Sequence, residues 1–336
     1  FFCYVIFAYL LKEPEAKTFI MKALIILALG VVLQYLILSI LYVPFDSRGF
    51  RLPISQPTNY FGLYGLLGDG NASLFLIDRK FFRLTGFWFE PSSASGYLFM
   101  TFFLTKVLFE QTRQIRWKLS GFVCLGGGLL TFSNAGFFAL GCAFLFGVIV
   151  RFKNKRGNSL RNISIVTILL VFIFLVLFGR AIVVKYAPNS TNLRAISGLR
   201  DMGTDPFGGR IEQLQYNKEV ILKNPTGIGF RIMGIDSRGR GVAYAGAAPF
   251  AWLVCTGWVG LFLILMREVQ VIIRSIMKDP LSSNLISILQ AWIVLFCQNI
   301  IFGTWMTPLY FLLVAMVFTT IYYDSNKGTR MQGFST

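Results

Sequence analysis

Nine apolar stretches divide this chain, separated by blocks in which charge, glycine and proline gather. They cover residues 1–11, 19–43, 91–109, 119–132, 133–150, 162–178, 247–266, 282–302 and 307–323. Several reach the ~20 residues that a helix needs to cross the hydrocarbon core of a bilayer. The run 119–150 is too long for one crossing, and Ser133-Asn134-Ala135-Gly136 supplies a break between two shorter helices. The pattern predicts an all-α, polytopic transmembrane bundle of about nine spans. Its expected divisions are an N-terminal bundle over 1–178 that includes a loop at 44–90, a large helical loop over 179–246, and C-terminal helices with a tail over 247–336. Phe1 lies within an apolar run, so further chain is expected before it.

Composition narrows the class. Hydrophobic residues make up 55% of the chain and charged residues 14%, where a soluble domain averages about 25% charged. That leaves too little polar surface to cover a soluble globule, and an ordinary cytosolic enzyme is excluded. The five cysteines (Cys3, Cys124, Cys142, Cys255, Cys297) sit in apolar runs without C-x-x-C spacing and read as buried, reduced side chains. Histidine is absent, which removes the commonest proton shuttle and zinc ligand.

The net charge is +17, from 32 Lys and Arg against 15 Asp and Glu. It is cut into short blocks between apolar runs, so a nucleic-acid partner is not expected and a lipid bilayer is. The connections 12–22, 106–118, 151–161 and 267–279, with the tail from 324, hold 17 basic and 6 acidic residues; the long loops 44–90 and 179–246 hold 15 and 9. Short, densely basic connections face the cytoplasm, so both long loops are expected outside a bacterial inner membrane. Outer loops have no topological need for arginine, yet they carry Arg48, Arg51, Arg79, Arg83, Arg180, Arg194, Arg200, Arg210, Arg231, Arg238 and Arg240. Arginine suits bidentate grip on phosphate or carboxylate. The alternatives are an anionic ligand at the outer face and a solvated, salt-paired surface.

Two loop stretches carry candidate chemistry. Arg83-Leu-Thr-Gly-Phe-Trp88-Phe-Glu90-Pro-Ser-Ser leads into the third span, with Pro91 and Ser92 suited to a first helical turn. Glu90 there is either a favourable helix start or a base. Residues 210–223 read as an amphipathic surface helix with Ile211, Leu214, Ile221 and Leu222 on one side, stopped by Asn224-Pro-Thr-Gly-Ile-Gly229. Arg210 in its first turn opposes the helix dipole, and a bound anion would account for it. Arg231, Arg238 and Arg240, spaced by glycines, form a flexible basic strip. Phe87, Trp88, Phe89, Tyr244 and Trp252 suit interface anchoring or sugar stacking.

The stretch Gly209-Arg210 through Asn224-Pro-Thr-Gly227-Ile-Gly229-Phe230 resembles one shared by the O-antigen polymerase and O-antigen ligase superfamily. So does the order around it: Arg83-Leu-Thr-Gly with Glu90-Pro, then Leu-Thr-Phe-Ser133-Asn-Ala-Gly, then a large loop, then Gly257-Trp-Val-Gly260-Leu. The resemblance covers roughly residues 80–320. It implies a glycosyltransferase acting on undecaprenyl-diphosphate-linked glycans at the outer membrane face, with a chain-length regulator as a further partner. Ligases of this kind resemble one another in a histidine near the end of the large loop; here that place is Gly246, and Ser133-Asn134 stands where Ser-Arg is frequent. Both departures favour a repeat-unit polymerase. The expected diphosphate contacts are Arg210, Arg231 and Arg83, with Glu90 as base, Arg210 aiding departure, and Trp88 and Tyr244 touching sugar or interface. Neither a D-x-D motif nor clustered carboxylates stand in the outer loops, so no metal or other cofactor is expected. A lipid-linked glycan or anion transporter is the alternative from another class, but the spans read as nearly free of central charge, with Lys106 near an inner end the closest case.

Overall fold

The computed structural model describes residues 2–42, 73–76, 79–82, 84, 91–131, 133–154, 217–229, 233–235, 241–243, 248–277, 281–302 and 308–332. Eight of the nine apolar stretches are helices within it: α1 (Phe2–Leu10), α2 (Pro14–Tyr42), α3 (Pro91–Thr112), α4 (Ile115–Leu130), α5 (Asn134–Asn154), α6 (Ala248–Met277), α7 (Ser283–Phe302) and α8 (Pro308–Gln332). The stretch 162–178 lies outside the described residues. The expected break near Ser133 falls where the sequence places it. Thr131 closes α4 with its amide on Gly128, and the Ser133 hydroxyl caps α5 by accepting the Gly136 amide at 3.2 Å.

Helical structure dominates, but the long loops are not purely helical. Each contributes a short antiparallel hairpin: β1 (Ser73–Leu76) with β2 (Arg79–Phe82), and β3 (Met233–Ile235) with β4 (Gly241–Ala243). The basic strip read as flexible is therefore flanked by paired strands, with Arg238 and Arg240 in the connection outside the described residues. Among the described residues, two helical stretches, Pro14–Ile37 and Leu253–Val271, are long and apolar enough to cross a membrane. The apolar parts of α5, α7 and α8 are shorter.

α3 is the axis of the bundle. Nearly every side chain from Ser92 to Leu108 is buried, including Phe99, Phe103, Leu98 and Leu104. It packs against α4, α7, α2 and α5, and its aromatic run continues into Phe137 and Phe144 of α5. α3 and α7 are antiparallel and are tied at both ends. Ser283 Oγ donates to Glu110 Oε1 at 2.6 Å at one end. At the other, Gln298 Nε2 donates to the Ser92 carbonyl and to Ser95 Oγ, the latter at 2.9 Å.

Close approach of these helices is bought by glycine. Gln290 and Gln298 lie two turns apart on one face of α7, and each amide occupies a notch left by a missing side chain, Gly147 on α5 and Gly96 on α3. Gln290 Nε2 donates there to the Ala143 carbonyl at 2.9 Å. A buried amide in an apolar bundle must find such partners, and small residues admit it. On the same logic, a Cβ on Gly127 would stand 2.5 Å from Val32 Cγ2, so α2 can lie against α4. By contrast, α2, α4 and α6 each carry an apolar stripe that touches no other described element, with Phe19, Leu33 and Ile37, Leu119 and Phe122, and Trp258, Phe262 and Leu263 exposed.

Two placements differ from the sequence reading. The 247–266 span is part of a longer helix, so Arg267 and Glu268 are interior residues of α6 rather than members of a connecting loop. Both lie near the end of the apolar stretch Leu253–Val271, not at its centre. Leu222, assigned to the apolar side of the loop helix, is 72% exposed, while Asn217 and Ile221 form its buried face.

Replacing Gly96 by leucine is expected to destabilise the bundle by about 1–3 kcal/mol, because the new side chain must expel the Gln298 amide. Leucine at Gly30, where a Cβ meets nothing within 4 Å, should cost nothing measurable. Unfolding midpoints in mixed detergent micelles compare the two.

Candidate functional site

The six residues singled out for chemistry, Glu90, Arg83, Arg210, Arg231, Trp88 and Tyr244, lie outside the described residues. Described residues directly adjoin Arg83, Glu90 and Tyr244 and come within two positions of Arg231, and these gather the sequence motifs in pairs.

The first pair joins the stretch that holds Arg83 and Glu90 to the break between α4 and α5. Leu84 is fully buried, and its amide donates to the Leu130 carbonyl at the end of α4 at 3.2 Å. Glu90 directly precedes α3, whose first turn is held from three sides. Ser95 Oγ donates back to the Ser92 carbonyl at 2.6 Å, and Gln298 from α7 donates to both. Gly136 of α5 lies against Ser95, where a Cβ would stand 2.5 Å from Ser95 Cβ. Ser92, Ser95, Ser133 and Gln298 are all buried, so one neutral polar cluster closes this end of the bundle where α3, α4, α5 and α7 meet. Ser95 has its proton committed to a carbonyl and carries no nucleophilic role. The cluster fixes the geometry of this end of the bundle.

The second pair joins the large loop to α6. A helical turn over 217–223 ends at Asn224, whose amide and Nδ2 both reach the Val220 carbonyl. The chain then turns through Pro225-Thr-Gly227, with the Gly227 amide on the Asn224 carbonyl at 2.9 Å. It docks onto a break in α6 at Gly257, where φ is 67° and ψ is −172°. A break frees the carbonyls of the turn before it and the amides of the turn after it. Here Val254 O accepts from the Ile228 amide and Cys255 O from the Gly229 amide, both at 2.9 Å. In return the Trp258 amide donates to Pro225 O at 3.1 Å.

Two glycines make this lock possible. Gly227 has φ 85°, and a Cβ on it would lie 2.5 Å from the Cys255 carbonyl oxygen and 2.6 Å from the Gly257 nitrogen. A Cβ on Gly257 would stand 2.7 Å from Thr226 Cα and clash with the Pro225 carbonyl. Both the left-handed backbone and the backbone-to-backbone approach exclude a side chain. Ile221, Leu253 and Val254 pack beneath the lock, joined by Val220, Ile228 and Leu261.

Sequence reasoning named all four of these motif stretches, Arg83–Glu90, Ser133–Gly136, Asn224–Gly229 and Gly257–Gly260, but gave no sign of which would touch. It gave Gln298 no role. The signal that could have recovered it is the spacing of Gln290 and Gln298, eight residues apart on one helix face, in a chain where Gly96 and Gly147 sit at equally apolar places. Among the described residues no three His, Cys, Asp or Glu side chains gather as a metal site would require. No protein-family model matches this chain, and neither does any curated protein or solved structure.

Gly257→Ala and Gly227→Ala are each expected to open the lock, since an L-residue at positive φ costs about 1–2 kcal/mol before any clash. Cys255 is 8% exposed and should resist alkylation by a thiol reagent in wild-type membranes but react in either variant. Equal protection in all three proteins would show that the loop stays docked without glycine.

Proposed function

We propose that this chain is a polytopic membrane glycosyltransferase, a polysaccharide repeat-unit polymerase. In this reading it moves a growing glycan from undecaprenyl diphosphate to an incoming lipid-linked repeat unit at the outer face of a bacterial inner membrane. The observation that carries the proposal is the pairwise docking of the motif stretches. Segments that share a resemblance with the O-antigen polymerase and ligase superfamily, and that lie far apart in sequence, meet through specific backbone bonds: the Leu84 region at the end of α4, and Pro225–Gly229 at Gly257. A set of motifs with a common task has reason to be built into one frame. The exposed apolar stripes of α2, α4 and α6 support immersion in lipid, because a soluble chain would have to leave them in water.

The chemistry follows from the leaving group. The acceptor hydroxyl oxygen attacks the anomeric carbon as the bond from that carbon to the phosphate oxygen breaks, and the lipid diphosphate departs with the electron pair. Arg210, Arg231 and Arg83 neutralise that charge without a metal. Glu90, set just before α3, takes the hydroxyl proton, and attack from the far side inverts the anomeric centre. Trp88 and Tyr244 flank the site as sugar or interface contacts. The absence of histidine from the chain makes this reading stronger than that of a ligase transferring glycan to lipid A-core.

One observation favours a second reading. The Arg267–Glu268 pair inside α6, with Glu268 buried and Arg267 half-buried, is the kind of intramembrane charge that transporters use, so export of a lipid-linked glycan or an anion is the competing function. Purified protein in detergent separates the two: a polymerase lengthens lipid-linked repeat units there, whereas a transporter is inert until flux is measured in liposomes.

Arg210→Ala should abolish long glycan chains, on a gel ladder of surface polysaccharide, while membrane insertion stays normal. Glu90→Gln should slow polymerisation by about 10²–10⁴-fold if it is the base; full activity would reduce it to a helix start. Turnover that stops with a chelator and returns with a divalent ion would overturn the metal-independent mechanism.

A further inference from the structure

Gln290 and Gln298, both 4% exposed, face surroundings on α7 that differ in one respect. Gln290 donates to the Ala143 carbonyl at 2.9 Å beside the Gly147 notch, within the body of α5 and away from every loop motif. Gln298 instead reaches Ser92 in the first turn of α3, two residues from Glu90. A side-chain amide has two N–H donors, and Gln298 Nε2 serves two oxygens of that turn, the Ser92 carbonyl and Ser95 Oγ, the latter at 2.9 Å. Ser95 Oγ in turn donates to the Ser92 carbonyl at 2.6 Å. The three groups close a ring of hydrogen bonds, which Gly96 admits and Gly136 of α5 backs.

This ring answers no unmet need of the helix end. The groups that a helix leaves unpaired at its start are amides, whereas the carbonyls of its first turn bond within the helix. Gln298 binds one of those carbonyls, and it brings a polar amide into an apolar bundle at a cost that a leucine would avoid. What the ring adds is restraint on the turn. That restraint passes to Glu90 through very little chain. Pro91 has its φ fixed at about −65°, and a residue ahead of proline is kept out of the helical region. The Glu90 Cα is at most about 7 Å from the Ser92 Cα.

We propose that Gln298 is a positioning residue of the transfer reaction, holding the first turn of α3 so that the Glu90 carboxylate meets the acceptor hydroxyl. The proposal rests on the reading of this chain as a repeat-unit polymerase with Glu90 as base. A base works only within hydrogen-bond reach of the proton it takes, and a misplacement of about 1 Å costs about 100-fold in rate. No member of the ring is charged, so it acts on the place of Glu90 and adds no charge beside it. Gln290, in an equivalent notch on the same helix face, serves packing alone.

Polymerisation of lipid-linked repeat units by the full chain in lipid nanodiscs tests this, with Gln290→Met as the internal comparison. Gln298→Met and Gln290→Met each remove one buried amide and are expected to lower the thermal midpoint alike. Only Gln298→Met should lose turnover, with kcat down about 10- to 100-fold and KM for the lipid-linked unit unchanged, because the diphosphate contacts lie elsewhere. In a Glu90→Gln background, Gln298→Met should cost nothing further, since the group it places is already gone. Should Gln298→Met not fold, Gln298→Asn, one methylene shorter, is read in the same way; failure of both to fold marks Gln298 as scaffold and overturns the proposal. Equal kcat losses in the two glutamine variants, additive losses in the double variant, a rise in KM alone, or full activity of Glu90→Gln overturns it too, while wild-type turnover upholds the polymerase. Wild-type protein that lengthens no glycan overturns the polymerase reading itself, and the role of Gln298 with it.

Discussion

A backbone amide or carbonyl inside an apolar bundle has no water to turn to, and the second half of this molecule is organised around that constraint. α6 is broken at Gly257, which frees hydrogen-bonding groups on both sides of the break. In lipid such a break is tolerated only where protein supplies the missing partners. The large loop supplies them with Pro225, Ile228 and Gly229. The loop is thus a structural part of the bundle at this point. Its attachment in turn sets where the following chain, beginning with Phe230 and Arg231, must start.

The same economy governs the helix contacts. Close packing and interhelical hydrogen bonds join apolar helices where small residues let their backbones approach. Gln290 and Gln298 are instances: each would be costly alone, and each is satisfied because a glycine across the interface lets a carbonyl or hydroxyl come within reach. α3 contributes its backbone at Ser92, its hydroxyl at Ser95 and its notch at Gly96 to one such contact. A single helix therefore fixes the first turn after Glu90 and the contact of the bundle with α7.

Much of the frame was legible in the sequence. Helix positions followed from apolar runs, the α4–α5 break from Ser133-Asn-Ala-Gly, and the loop-helix stop from Asn224-Pro-Thr-Gly. What was not legible is pairing. Nothing in the spacing of Gly227 and Gly257 says that their backbones touch, because close approach depends on the tertiary path of the loop. Helix ends were also misjudged where charge intervened. Arg267 and Glu268 look like the start of a polar connection, yet they neutralise each other and α6 continues to Met277. The hairpins were missed because Ser73–Leu76 and Gly241–Ala243 are too short for alternation to register. Apart from Arg79 in β2, the loop arginines lie beyond the described residues, so their common purpose rests on sequence.

The two kinds of charge in this chain now separate. The loop arginines stand in segments anchored to the bundle by uncharged contacts: Leu84 on Leu130 behind Arg83, Gly229 on Cys255 ahead of Arg231. None of those anchors consumes a charge. Arg267 of α6 is already committed to Glu268 and lies over two aromatic rings. Among the described residues the fold is held by backbone locks, glycine notches and a self-neutralised pair, none of which draws on a loop arginine. That is the physical reason to look for an anionic ligand there rather than for more scaffold.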